Sequence, residues 1–170
     1  MQIYAASRLL TTQEQMDEAG HEGPLTDTDY WGHRAAGALV YARTTGRFLL
    51  PFRSAEVDEP HVWGTWGGSI DGPESPERTV RRELREEAGY AGSSMLIPLL
   101  VNRVFDAGLV YHNYLAVVHE QFEPVLNWET EKAGWFTYGE FPEPRHPGLQ
   151  KLLDDPFSIK VLENAVNRRS

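Results

Sequence analysis

The 170-residue sequence contains no cysteine. Disulfides, thiolate metal centres and a cysteine nucleophile are therefore excluded. Long apolar runs are missing as well. The opening MQIYAASRLL lacks the apolar region of a secretory signal, and no stretch approaches membrane-spanning length. The expectation is a cytoplasmic protein with no membrane partner. Positive charge is scarce: 16 Lys and Arg face 25 Asp and Glu, a net charge of −9. A broad electrostatic footprint for nucleic acid is not expected from such a balance, although a local basic patch can still hold a phosphorylated ligand. The six histidines are scattered without metal-ligand spacing. What is present, 41% hydrophobic and 24% charged residues, suits one globular domain with a substantial core.

Residues 1–32 are acidic and turn-rich, and read as an N-terminal extension on a domain spanning 33–170. Thr12 and Gln15 stand at capping-box spacing within it. RAAGALVYA (34–42) and RFLLPF (47–52) flank the turn RTTG and predict a hairpin. The glycine- and proline-rich stretch 53–75 is too polar for core, and a loop of that length is more often functional than idle. Ser75-Pro76-Glu77 predicts a helix start, with serine as N-cap and proline in the first turn, and Gly89 predicts its end. MLIPLLVNRVF (95–105) and LVYHNYLAVVH (109–119) predict two strands around DAG, with Pro98 at a bulge or edge. KAGWFTY (132–138) adds a strand, FPEPRHPG (141–148) an extended linker, and the remainder a C-terminal helix interrupted near Pro156. The fold class is α/β, a sandwich around a mixed sheet.

The helix carries RRELREEAGY (81–90), whose charges are crowded rather than interleaved. Glu77 and Arg81 form a favourable i,i+4 pair, but Arg78–Arg82, Arg81–Arg85 and Glu83–Glu87 place like charges together. A helix tuned for surface ion pairing is not written this way. At about 100° per residue, Val80, Leu84 and Ala88 form an apolar stripe. Glu83, Glu86 and Glu87 lie beside it, and Arg78, Arg81 and Arg85 on the far side. Carboxylates at the edge of a core repel one another unless a cation joins them, and an oxygen-only set favours Mg²⁺ or Mn²⁺.

Upstream, Gly68 is followed after five residues by Glu74, then after seven by Arg82-Glu83, and the run closes with Glu86-Glu87, Gly89 and Tyr90. This resembles the Nudix box of MutT-like hydrolases, G-x5-E-x7-R-E-U-x-E-E-x-G-U. Two departures are Tyr90 at the usual aliphatic position and Trp66-Gly67-Gly68 where many members read Pro-Gly-Gly. The resemblance implies a Nudix-type α/β/α sandwich and Mg²⁺- or Mn²⁺-dependent hydrolysis of a nucleoside diphosphate linked to another moiety. It implies side-chain metal ligands at Glu83, Glu86 and Glu87, with the Gly68 carbonyl as a further one. Arg82 would orient Glu83, Glu74 would brace the loop–helix junction, and Gly89 would end the helix. Glu83 is the first candidate for the base that deprotonates water, with Glu129 and Glu131 as loop alternatives.

Substrate choice is less legible. The downstream proline of many ADP-ribose hydrolases is absent, the positions of the diadenosine polyphosphate tyrosine hold Asp106, Ala107 and Gly108, and the NADH diphosphatase array is missing. Tyr111, Tyr114, Arg53, Arg103 and Glu131 are candidate substrate contacts; alternation along the strand separates Tyr111 and Asn113 from His112 and Tyr114. The substrate class is a small nucleotide or nucleotide derivative, an oxidised dNTP among them. The alternatives are removal of pyrophosphate from an RNA 5′ end and a non-catalytic nucleotide-binding module, although such a module would be expected to lose box glutamates. The isomerase chemistry of the superfamily needs a cysteine this chain lacks. A homodimer is expected only by analogy with relatives.

Overall fold

A computed structural model describes residues 34–168; the N-terminal extension and its capping-box spacing lie outside the described residues. Strand β1 (Arg34–Ala42) is buried at every position after Arg34, the pattern of a central strand covered on both faces. It pairs antiparallel with β2 (Arg47–Arg53) through its C-terminal end and with β3 (Trp66–Ser69) through its N-terminal end. Its other edge runs parallel to β5 (Leu109–Val118), which pairs antiparallel with β4 (Met95–Val104). Strand β6 (Thr130–Thr137) closes the far side against β2, giving the order β4-β5-β1-β2-β6 with β3 beside β1. The sheet is mixed, as the sequence predicts.

Helix α1 (Pro76–Ala88) covers one face. Its buried Val80, Leu84 and Ala88 meet Ala36, Ala38, Val40 and Trp66, so the predicted apolar stripe is its inner surface. Helices α2 (Pro147–Asp154) and α3 (Pro156–Asn167) cover the other face, where Leu149, Leu152 and Leu162 pack on Leu39, Tyr41 and Phe48. The caps of α1 follow the sequence: the Ser75 side chain accepts from the Arg78 N–H, and Gly89 takes the left-handed conformation at φ 66°. The break in the C-terminal helix also falls where expected, with Asp155 capping α3 and Pro156 opening it. Three readings are corrected. The stretch 53–75, read as too polar for core, contains β3, and its Trp66 and Ile70 are almost fully buried. Strand β6 begins at Thr130, two residues before the predicted 132. The linker 141–148 ends at His146, because His146-Pro147 repeats the cap-then-proline start and α2 begins two residues earlier than read.

Pro98 sits at a register shift in β4 that ends at Val101. The shift frees the main-chain groups of Leu100, and both find side-chain partners. Its N–H donates to the fully buried Ser158 Oγ at 3.0 Å, and its carbonyl accepts from Asn113 Nδ2 at 2.9 Å. Helix α3 thus completes the hydrogen bonding of the irregular edge strand that the ladder cannot. Replacing Ser158 with Ala strands a buried N–H, and the expected loss is about 1–3 kcal/mol of unfolding free energy. Urea denaturation of the two proteins measures it, and an unchanged midpoint would show that the bulge is satisfied in another way.

Candidate active site

Helix α1 and strand β3 make the acidic half of the site. Glu83 and Glu87, one turn apart, are buried at 7% and 6% exposure and face β3, whereas the Glu86 side chain is about half exposed. β3 admits them because it is glycine there: a Cβ on Gly68 would stand 2.6 Å from Glu83 Oε1. The Gly67 N–H donates to Glu87 Oε2 at 2.8 Å. The approach is so close that any side chain at Gly68 would displace the carboxylate.

Arg82 ties the cluster together. Its Nη1 donates to Glu83 Oε1 at 2.7 Å and to Glu86 Oε2 at 3.2 Å. Its Nη2 reaches the Ser69 carbonyl at 2.8 Å and Glu74 Oε2 at 3.2 Å. Glu74 also accepts from the Thr79 hydroxyl at 2.8 Å. Glu74 therefore braces the junction of loop and helix through Arg82, and one guanidinium meets four carboxylates, Asp71 at 3.5 Å included, and the end of β3.

The electrostatics follow burial. Glu87 is pushed up to about 8, first by burial and then by the neighbouring Glu83 charge, with the Gly67 N–H opposing. Burial also raises Glu83; Arg82 opposes it, and Glu86 and Glu129 add to it. Both are carboxylates that lack enough positive charge. Oxygen donors without sulfur, in a pocket with unbalanced negative charge, fit a hard divalent cation. Among the described residues, however, no group of three histidine, aspartate or glutamate side chains is already arranged around a metal position. The reason is visible in the partners: Arg82 holds Glu83 and Glu86, while the Gly67 N–H holds Glu87.

The other half is a cavity of about 580 Å³ on the opposite side of β3. Gly67, Gly68 and Ser69 form the shared wall. Its floor is the N-terminal end of the sheet, with Ala35, Tyr111, Asn113 and Asn102; its roof is the start of α2, with His146, Pro147 and Lys151. Arg53 and Tyr111, both expected at the substrate, line it. Arg53 is a strut as well, its Nε donating to the carbonyls of Asp58 and Glu59 at 3.1 Å each. It thereby holds a loop in which Glu59 and His61 have φ of 52° and 57°, a conformation that non-glycine residues keep only when the surroundings impose it. The Tyr111 hydroxyl lies over Gly37 and Gly67, where a Cβ would come within 2.0 and 2.7 Å of it. Burial and the nearby Glu87 and Glu83 charges raise it to about 12, so it stays protonated.

Three other candidates are not brought there. Tyr114 points to the opposite face, under α1, where its hydroxyl donates to Glu77 Oε1 at 3.0 Å. Arg103 lies exposed beside His112, because neighbours along β4 alternate and Asn102 and Val104 take the cavity side. Glu131 turns outward to His61, 3.6 Å away. Its neighbour Glu129 is the loop acid whose charge reaches Glu83 and Glu87, and Asn127 holds it through its Nδ2 at 3.3 Å. Sequence reasoning missed Asn102, Glu59, His146 and Lys151. For Asn102 the signal is its pairing opposite Tyr111; for His146 it is the proline that follows.

The comparisons agree with this geometry. The model of the NUDIX domain matches residues 31–155, all of the described chain except α3 and its end. A Mycobacterium tuberculosis protein provisionally named 8-oxo-dGTP diphosphatase 3 is 33% identical over 146 residues, covering 78% of this chain and 67% of that protein. An RNA pyrophosphohydrolase of Caulobacter vibrioides is 27% identical over 114 residues, covering 67% of this chain and 62% of its own. The crystal structure of a MutT NUDIX hydrolase from Burkholderia pseudomallei superposes with a TM-score of 0.58 at 27% identity, covering 73% of this chain and 97% of that one. With the full box in place around buried carboxylates, the chain belongs to the NUDIX domain family and is a Nudix hydrolase.

Proposed function

We propose that this Nudix hydrolase is a Mg²⁺- or Mn²⁺-dependent diphosphatase of nucleoside triphosphates or closely related nucleotides, with oxidised dNTPs in the substrate range. The observation that carries the reading is the pair Glu83 and Glu87, buried and underbalanced, at the glycine wall of a cavity of about 580 Å³. That volume lies inside the range of small-molecule sites. The name of the M. tuberculosis relative supports the substrate class.

Glu83, Glu86 and Glu87, with the Gly68 carbonyl, are the groups that would hold the cation. When bound, the cation supplies Lewis acidity toward phosphate oxygens and water. The protein's own residues do the rest. Arg82 restrains Glu83 and Glu86 and supplies a counter-charge to both. Glu83, raised by burial, takes the proton of the attacking water, and Glu129 is the second acid within reach of the cluster's field. The cavity holds the nucleoside so that its phosphates cross β3 toward the carboxylates. The RNA pyrophosphohydrolase of C. vibrioides supports a second reading, cleavage at a triphosphorylated RNA 5′ end. The acidic chain weighs against that polymer.

A panel of nucleoside triphosphates, 8-oxo-dGTP and 5′-triphosphorylated RNA, incubated with and without each metal and analysed by mass spectrometry, tests the reading. The wild type should cleave a phosphoanhydride only with metal, and Glu86→Gln, which keeps the shape and removes the charge, should abolish turnover. Equal inertness of both proteins would leave a nucleotide-binding module. Arg82→Lys should cost about 10–100-fold in kcat/KM, because an ammonium cannot bridge Glu74, Glu83, Glu86 and the Ser69 carbonyl together. Steady-state kinetics on the best substrate decide this.

Burial of Glu87 also predicts a pH dependence of stability in EDTA. Its folded-state value of about 8 exceeds the ordinary 4.5, so between these values the folded protein keeps a proton that the unfolded chain has lost. Stability should then be greatest below about pH 4.5 as far as this group is concerned. It should fall as pH rises toward 8, by on the order of 4 kcal/mol. Glu87→Gln should flatten that slope in denaturant titrations across the range; an unchanged slope would place the buried charge elsewhere.

A further inference from the structure

On the floor of the cavity, Asn102 of β4 pairs with Tyr111 of β5, and Tyr111 with Ala35 of β1, so the three form one row across the sheet. All three line the cavity. Asn102 differs from its neighbours in one respect: its Oδ1 is buried and has no hydrogen-bond partner. Native proteins rarely leave a buried acceptor unpaired. The oxygen itself is covered, and it meets a ligand when the terminal amide, whose torsion is broad and two-fold, turns it toward the cavity that Asn102 lines. Asn113, one row along, is already committed, its Nδ2 bonded to the Leu100 carbonyl that the β4 bulge frees. Its role is structural.

The roof opposite has a fixed polarity. His146 caps α2 by accepting the Gly148 N–H on Nδ1 at 3.0 Å. Burial and the nearby Arg53 hold the ring neutral, which leaves its single proton on Nε2 as a donor. Val104, Leu109 and Pro147 supply apolar surface between floor and roof. A flat heterocycle carrying an N–H donor on one edge and a ring acceptor on another matches this arrangement. Resting on the reading of the chain as a nucleotide diphosphatase, we propose that Asn102 is its base-selecting residue: Oδ1 accepts an N–H of the substrate's base, and the enzyme thereby prefers bases with a donor at that edge.

Three substrate pairs test this: GTP against ITP and ATP against purine riboside triphosphate, each differing by one amino group, and 8-oxo-dGTP against dGTP, where an N7–H donor and a C8 carbonyl replace the N7 acceptor and C8–H. In the wild type the donor-bearing member of at least one pair should be favoured about ten-fold or more in kcat/KM, mainly through KM. Asn102→Leu, similar in size but without an acceptor, should bring that ratio to within about two-fold, while Asn102→Asp, which keeps an acceptor, should retain it. Calorimetric binding of the corresponding nucleoside monophosphates should show the same pattern without turnover. Asp restoring what Leu loses separates hydrogen bonding from a packing defect. The proposal is overturned if no pair is discriminated by the wild type, or if the preference survives in Asn102→Leu. Absence of metal-dependent cleavage of all six nucleotides would overturn the functional reading itself, and this proposal with it; cleavage without Asn102-dependent preference would remove the proposal alone.

Discussion

The structure depends on one costly arrangement: two carboxylates of the same helix buried side by side against a strand of glycine. Glu83 and Glu87 are both less than a tenth exposed, and burial raises the tendency of each to hold a proton, with the Glu83 charge adding to it at Glu87 and the Glu86 and Glu129 charges at Glu83. Such a pair survives in a folded protein only with compensation. Here the compensation comes from three separate elements: the Arg82 guanidinium, the Gly67 N–H and the missing side chain at Gly68. Two of them, Arg82 and Gly68, are residues of the box, and the third, the Gly67 N–H, immediately precedes it. Glu74 matters because it secures Arg82, and the glycine matters because a methyl group would occupy the space of a carboxylate oxygen.

The demand spreads outward through β3. The strand is only four residues long, yet it pairs with β1 while its backbone holds Glu87 and abuts Glu83. Trp66 anchors its start from the core, its indole N–H donating to the Leu49 carbonyl at 3.0 Å. Tyr111 covers Gly37 and Gly67 from the cavity side. Trp66 therefore fills the place that Pro-Gly-Gly members give to proline with a core anchor. The loop between β2 and β3 is held in turn by Arg53 on the carbonyls of Asp58 and Glu59. A long stretch rich in glycine and proline is thus ordered without regular secondary structure.

How far this was legible in the sequence follows from the range of each interaction. Helix α1, its caps and its two charged stripes are set by residues within four positions of one another, and periodicity reads such neighbours well. The hairpins and the Pro98 bulge are nearly as local. The box glutamates were found because they are crowded on one helix, but their unequal burial was not, since that depends on where β3 lies. The cavity was read only in part. Alternation correctly separated Tyr111 from Tyr114, but which set faces α1 is decided by packing. Arg103 and Glu131 lie outside the cavity lining for the same reason: an exposed charge carries no mark of the face it will occupy. Asn102 and His146 gain meaning only when the edge strand and α2 close over the same space, at a sequence separation no local pattern reports.

That separation also explains how one sheet serves two tasks. On the α1 face and at its rim, chemistry needs fixed charges at fixed spacing, so the residues come from one helix turn and tolerate little change. On the other face, recognition needs only a shaped cavity with a few free polar atoms, and these come from β4, β5, the β2–β3 loop and α2, four elements distant in sequence. The two share a wall of three residues, Gly67 to Ser69. A change in the cavity lining can alter which base is held without disturbing Glu83 or Glu87. The box can then remain constant while the cavity varies, which is why the sequence states the reaction plainly and leaves the substrate to the fold.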